Sequence, residues 1–294
     1  MKLEFILPKA CTANSLFPIV EEKFLSLGEM PEEVKIDFSQ LKFIKPCGVV
    51  FVDNLMKFLH HNNCKVFVKN HQGSTAALNF LYGAGFFDRW VKNINRACRK
   101  STTLPLQDVT PTDSRNWLEN TLGPWLANCY GKDIEQLSEL LASIQELFIN
   151  VADHSGVTNG SVFGQWYPNI DSIELCIADF GVGIPKTIGK VARDLSDSQA
   201  LELAFREAIT SQSTPRNRGV GLHLLQQNIV ERFRGTIHVY SRRGGVAIRR
   251  AGISARFVIE ESNGYCPGTL FKLKLNSGFI PEDIQICEDE TWSL

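Results

Sequence analysis

From Ile134 to Ala152 the apolar residues Leu137, Leu140, Leu141, Ile144, Leu147, Phe148 and Val151 recur at steps of three and four. That period predicts a long amphipathic helix with one buried stripe. Nearer the start, Glu33 to Ser39 alternates apolar and polar positions as a half-buried strand does. Val49, Val52, Leu55, Met56 and Leu59 then mark a helix, Lys65 to Val68 a short strand, and Asn79 to Phe87 a second helix. Strand, helix, strand, helix is the order of a small α/β unit with its own core.

Residues 99–116 break this patterning with Thr102, Thr103, Pro105, Thr110, Pro111, Thr112, Asp113 and Ser114, all turn or coil formers. Residues 101–116 are therefore expected to link a first domain, 1–100, to a second, 117–280, with an acidic tail over 281–294. In the second domain, Ser161 to Trp166 and Ile173 to Ile177 read as strands, Leu201 to Ile209 and Val220 to Phe233 as helices. Thr236 to Tyr240, Ala255 to Ile259 and Thr269 to Leu275 read as further strands. Helices on a largely antiparallel sheet make an α+β sandwich.

Composition narrows the function classes. The 294 residues are 44% hydrophobic and 21% charged, enough for two packed cores. With 31 basic against 32 acidic residues, net charge −1 gives no electrostatic footprint for nucleic acid or an anionic membrane. The basic group Arg242, Arg243, Arg249 and Arg250 reads as a solvated hairpin. No apolar run reaches the roughly 18 residues of a membrane span. The 8 cysteines form no CxxC pair, which removes support for zinc ribbons and thioredoxin-like chemistry. Scattered thiols and no export leader lead us to expect a cytoplasmic protein.

The chemistry is concentrated in the second domain. Glu146, Asn150 and His154 follow at four-residue steps on one helix face, about 6 Å apart along the axis. Alone, that is also the pattern of a solvated face. A carboxylate and an amide there can orient a water and a Mg²⁺ that takes its other oxygens from phosphates. Next comes Asp179-Phe180-Gly181-Val182-Gly183, a strand end entering a glycine turn. The carboxylate can accept from an exocyclic amine, and the glycines allow a close backbone approach. Asn217-Arg218-Gly219-Val220-Gly221-Leu222 opens a helix whose first N–H groups suit phosphate oxygens. Gly268-Thr269 leads the last strand.

Taken in order, Glu146…Asn150, Asp179-x-Gly181-x-Gly183, Gly219-x-Gly221 and Gly268-Thr269 resemble the boxes of the GHKL superfamily. That superfamily holds gyrase, Hsp90, histidine kinases, MutL and the anti-sigma-factor serine kinases. The resemblance covers about residues 130–276 and implies a Bergerat fold, a helical layer on a mixed sheet, with MgATP under a lid within residues 186–218. It implies Glu146 as catalytic base and Asn150 as the magnesium ligand. Asp179 would contact adenine, with Gly181, Gly183 and Thr269 at that end, and Gly219, Val220, Gly221 and Leu222 would lie at the phosphates. Glu146-x-x-x-Asn150-x-x-x-His154-Ser155-Gly156 is nearest to the anti-sigma-factor serine kinase form. Over residues 32–95, Ile36 to Ile44 followed by Cys47-Gly48-Val49 resembles a STAS domain, although Lys45-Pro46-Cys47-Gly48 lacks the usual acceptor serine.

The fold expected is thus a small STAS-like α/β domain followed by a Bergerat-fold α/β sandwich. The function expected is ATP hydrolysis or phosphorylation of a partner's serine or threonine, Glu146 activating the attacking hydroxyl or water. The partner implied is a regulatory protein of STAS or sigma-factor-like type, and the ATPase domains could pair as a homodimer. A nucleotide-gated binding switch with little turnover is the alternative.

Overall fold

The computed structural model describes residues 1–25, 29–92, 94, 100–154, 160–190, 192–206, 221–260 and 262–281; for Leu25 and residues 150–154 it describes the backbone alone. The first part runs β1 (Lys2–Ile6), β2 (Ala10–Cys11), α1 (Ala13–Val20), β3 (Glu33–Asp37), β4 (Phe43–Ile44), α2 (Pro46–His61), β5 (Lys65–Lys69), α3 (Ala76–Gly83) and α4 (Phe86–Trp90). Strands β1, β3 and β5 form a parallel sheet in that order. Pro46 opens α2, where a missing N–H costs nothing, and His60 and His61 lie in its last turn. Its first eleven residues are all buried, so α2 is covered on every side. The expected α/β unit is present, and the single helix read over Asn79 to Phe87 is two, divided at Ala84-Gly85.

The second part contains β6 (Thr103–Val109), α5 (Ser114–Trp117), α6 (Gly123–Tyr130), α7 (Ser138–His154), β7 (Gly160–Tyr167), β8 (Ser172–Asp179), α8 (Ile184–Ile188), α9 (Asp197–Ala204) and α10 (Gly221–Gln226). It ends with β9 (Thr236–Arg242), β10 (Gly244–Ala251), β11 (Ser254–Ile259) and β12 (Cys266–Asn276). Seven strands make one sheet in the order β11-β10-β9-β12-β8-β7-β6. Every pairing is antiparallel, as the strand pattern led us to expect, while the mixed sheet implied by the family resemblance is not what forms.

The stretch expected to be a linker is instead the sheet's edge. Leu104, Leu106 and Val109 are buried in β6, and the register slips between Leu104 and Gln107, around Pro105. An edge strand with a bulge tolerates a proline that a central strand would reject.

Alternation along the strands decides what each face meets. On one face Val162, Ile177, Phe271, Val239 and Val246 lie side by side across five strands and join the core that includes Leu140, Ile144, Leu147 and Phe148 of α7 and Leu222 and Leu225 of α10. The other face presents Phe163, Cys176, Ala178, Leu270 and Tyr240 to the first part of the chain, forming one core with Phe17, Phe51 and Leu55. A polar network closes this contact. Asp53, wholly buried, receives Trp90 Nε1 at 2.8 Å, pairs with Lys57 Nζ at 2.8 Å and Arg89 Nη1 at 3.5 Å, and has Ser161 Oγ of β7 at 2.9 Å. Asp108 of β6 pairs with both Lys57 and Arg89. Among the described residues no helix is long and apolar enough to cross a membrane.

Candidate functional site

Strand β8 is central, and on the face that α7 and α10 cover it carries Ile173, Leu175 and Ile177, so that face meets its first carboxylate only at the strand end. Asp179 keeps the parity of Ile173, Leu175 and Ile177, and therefore points to the face that α7 and α10 cover. Its register partner on β12 is Thr269, which in turn pairs with Ser241 on β9; on β7 the pairing runs as far as Ser161 opposite Ala178, with Gly160 the next residue. Asp179, Thr269 and Ser241 thus form a polar row at the end of an otherwise apolar face, all at most 4% exposed. A Cβ on Gly160 would make only ordinary contacts, 3.6 Å from Ala178 O and 3.8 Å from Ile177 Cγ2.

The turn after β8 is tied to this row. Gly181 N–H donates to Asp179 Oδ1 at 2.6 Å. Among the described residues, Oδ2 has no hydrogen-bond partner. Burial pushes the Asp179 carboxyl up to about 6, against the opposing pull of the Gly181 N–H. A carboxylate with one oxygen held by backbone and the other open suits an amine donor. Gly183 takes φ +82°, and a Cβ on it would stand 2.5 Å from Ser241 Oγ. Gly181 does not use the left-handed region, so its place in the motif rests on its N–H. Gly268 has φ +70°, and a Cβ on it would fall 2.1 Å from Asp179 O. Ser241 donates to Gly268 O and lies 3.4 Å from Thr269 Oγ1.

Above the sheet, α7 and the helical run from Gly221 to Arg232 lie antiparallel. Asn228 Nδ2 donates to Ser143 Oγ at 2.7 Å, and Arg232 pairs with Glu139. That pairing brings the start of α10, with Gly221, alongside the second half of α7, where Glu146 is half-buried and Asn150 follows one turn later. A groove of 580 Å³ between the helices includes Glu146, Ser143 and Leu224. Leu222 is 8% exposed and contributes to the core. The side chains of Asn150 and His154, and Gly219, Val220 and residues 207–218 of the expected lid, lie outside the described residues. Within the remainder of that lid segment, Ser196 caps α9 through a capping box with Gln199.

Residues 136–266 match the family model of histidine kinase-, DNA gyrase B- and HSP90-like ATPases. This part of the chain is a GHKL-type domain. No curated protein matches the chain. The GHKL domain's match runs from the turn before α7 to the first residue of β12, so Glu146, Asn150 and the Asp179 turn fall inside it. The family binds ATP, usually with Mg²⁺. Gly268 and Thr269, which back the Asp179 turn, lie just beyond the matched residues.

Reading the sequence left out Ser241 and Gly160. Both carried a signal: Ser241 continues the alternation of Ile237 and Val239 on the helix-covered face, and Gly160 stands two residues before Val162 on the same face. Strand parity was enough to place them, once the register joined their strands to β8.

Proposed function

We propose that the GHKL domain binds MgATP, with the adenine amine on Asp179 and the phosphates at the start of α10. The buried carboxylate supports this most directly, since Oδ1 is fixed by Gly181 and Oδ2 has no hydrogen-bond partner among the described residues. Asn150 would ligate Mg²⁺, whose role is to neutralise charge on the transferring phosphoryl group. Glu146, half-buried on α7, serves as base for water or for a serine or threonine hydroxyl of a partner protein. A regulatory partner of STAS or sigma-factor-like type suits the STAS-like first part, and pairing of two GHKL domains would give a homodimer. The cytoplasm suits the six described cysteines, all buried free thiols.

Calorimetry with MgATP tests the site. Asp179→Ala should weaken binding about 10- to 100-fold, the cost of a lost hydrogen bond to a charged group. Asn150→Ala should weaken binding only when magnesium is present. Absence of wild-type binding with magnesium would sink the reading. A second reading, a nucleotide-gated protein-binding switch with little turnover, draws on Phe180, which joins the Asp179 turn to the first part of the chain. ATP turnover that disappears in Glu146→Ala favours the enzyme; no turnover beside intact binding favours the switch.

A further inference from the structure

Phe180 lies between two residues of the nucleotide site, and its side chain leaves that site altogether. It has the parity of Cys176 and Ala178, so it points through the sheet to the face covered by α2. There its ring stacks on Phe58, with centroids 5.3 Å apart and planes 22° apart, and meets Phe51 at 6.1 Å. Phe51 is itself set edge-on to Phe17 at 5.2 Å, and Phe17 to Tyr240 of β9 at 5.4 Å.

The same peptide is held from its other side. A Cβ on Gly268 would stand 2.7 Å from both the Asp179 carbonyl carbon and Phe180 Cα, so the two backbones are in direct contact. The loop leading to Gly268 is pressed in its turn on the first part of the chain, since a Cβ on Gly264 would lie 2.4 Å from the Phe17–Pro18 backbone. Two routes therefore run from the first part of the chain to one peptide unit. Rotation of that unit moves the Asp179 carboxylate and the Gly181 N–H that fixes it.

We propose that Phe58 and Phe51 of α2, acting through Phe180, are positioning residues for the nucleotide site. The N-terminal unit is then a structural part of that site, and whatever shifts α2 changes nucleotide affinity, with the reverse effect of equal size. The proposal rests on the MgATP reading for its ligand, whereas the grip on the turn is a property of the protein alone.

The test compares Phe58→Ala with Phe80→Ala. Phe80 makes an equivalent aromatic contact at the same interface, edge-on to Phe163 at 5.7 Å, away from the Asp179 turn. Two readouts are taken: hydrogen exchange of the Gly181 amide without nucleotide, and MgATP affinity by calorimetry. Phe58→Ala should speed Gly181 exchange and weaken MgATP about five- to tenfold, as loss of one aromatic pair would. Phe58→Tyr, which keeps the ring, should restore both, and Phe80→Ala should change neither while lowering Tm. If Phe58→Ala fails to fold, Phe58→Leu takes its place, with the same expectations. Unchanged Gly181 exchange in a folded Phe58 variant, or equal effects of Phe58→Ala and Phe80→Ala, overturns the proposal. Absence of MgATP binding by the wild type overturns the MgATP reading, and Gly181 exchange alone then decides the positioning role.

Discussion

The two faces of the seven-stranded sheet are covered by different chemistry. Under α7 and α10 the row from Val162 to Val246 is apolar, and Asp179, Thr269 and Ser241 make a polar row at the site end of that face. On the opposite face, the rows nearest the site carry Ala178, Leu270 and Tyr240 under α1 and α2. Farther along the same face, Lys272 meets Glu174 at 3.8 Å, and Glu260 is held below the usual carboxylate range by its bonds to His238 and Tyr240. Apolar cover requires that something pack there and is indifferent to sliding. The Asp53–Lys57–Arg89–Asp108–Ser161 network is not indifferent, because a shift of one residue strands buried charge. The first part of the chain is thus registered against the site end of the sheet by polar contacts and held there by apolar ones.

Breaking the network should have the largest effect. Asp53→Ala leaves Lys57, Arg89 and Trp90 without their shared acceptor, and should lower the unfolding free energy by about 3–5 kcal/mol. A loss below about 1 kcal/mol in denaturant titration would mean that the apolar contacts alone set the arrangement. Next comes Gly268→Ala, which puts a Cβ against the Asp179 carbonyl at a φ of +70°. Strain at that backbone plus the clash should cost about 3 kcal/mol and weaken nucleotide binding as well. Wild-type stability in this variant would show the junction of the two faces to be looser than its geometry.

Asp179→Asn should act in the other direction. The folded carboxyl titrates at about 6, above the ordinary 3.8, so the wild type loses stability as pH rises from about 4 to about 6. An uncharged asparagine escapes that loss. At about pH 7.5 it should be more stable than wild type by about 1–3 kcal/mol, and at about pH 4 or below equal to it. The same variant should bind MgATP more weakly, the trade of stability for function expected of a buried charge in a binding site. A stability gap that is the same at both pH values would refute burial as its cause. Smallest is Ile144→Val on the apolar face, where one lost methylene should cost about 1 kcal/mol and leave nucleotide affinity unchanged.

Much of the helix-covered face was legible. Leu140, Ile144, Leu147 and Phe148 of the stripe are the buried side of α7, Leu137 lies just before it, and Asp179 stands at the end of its strand. The edge strand β6 was hidden because Thr102, Thr103, Pro105 and Thr110 mark turns, while Leu104, Leu106 and Val109 are spaced unevenly around a bulge. Strand β10 was half legible: the arginines around Gly244 and Gly245 read as a solvated hairpin, which β9 and β10 form, but nothing local shows that β11 pairs with the other edge of β10. Of the site, the motif residues Asp179, Gly183, Gly268 and Thr269 converge, Glu146 lies on the helix above, and Gly219 and Val220 are outside the described residues.

The helical stripe of α7, the turn Asp179-Phe180-Gly181-Val182-Gly183 and the order of the four motifs are all written in short-range patterns. Helical period and glycine placement act over a few residues, so neighbours in the chain carry the whole signal. That Ser241 joins the motif row with Gly160 near it, that Asp53 meets Ser161, and that Phe180 stacks on Phe58 follow from the packing of distant segments. Those contacts join residues up to 122 positions apart, Phe58 and Phe180, and depend on strand register and on which face α2 covers. No periodicity within one segment contains that information, because it is set where two segments meet.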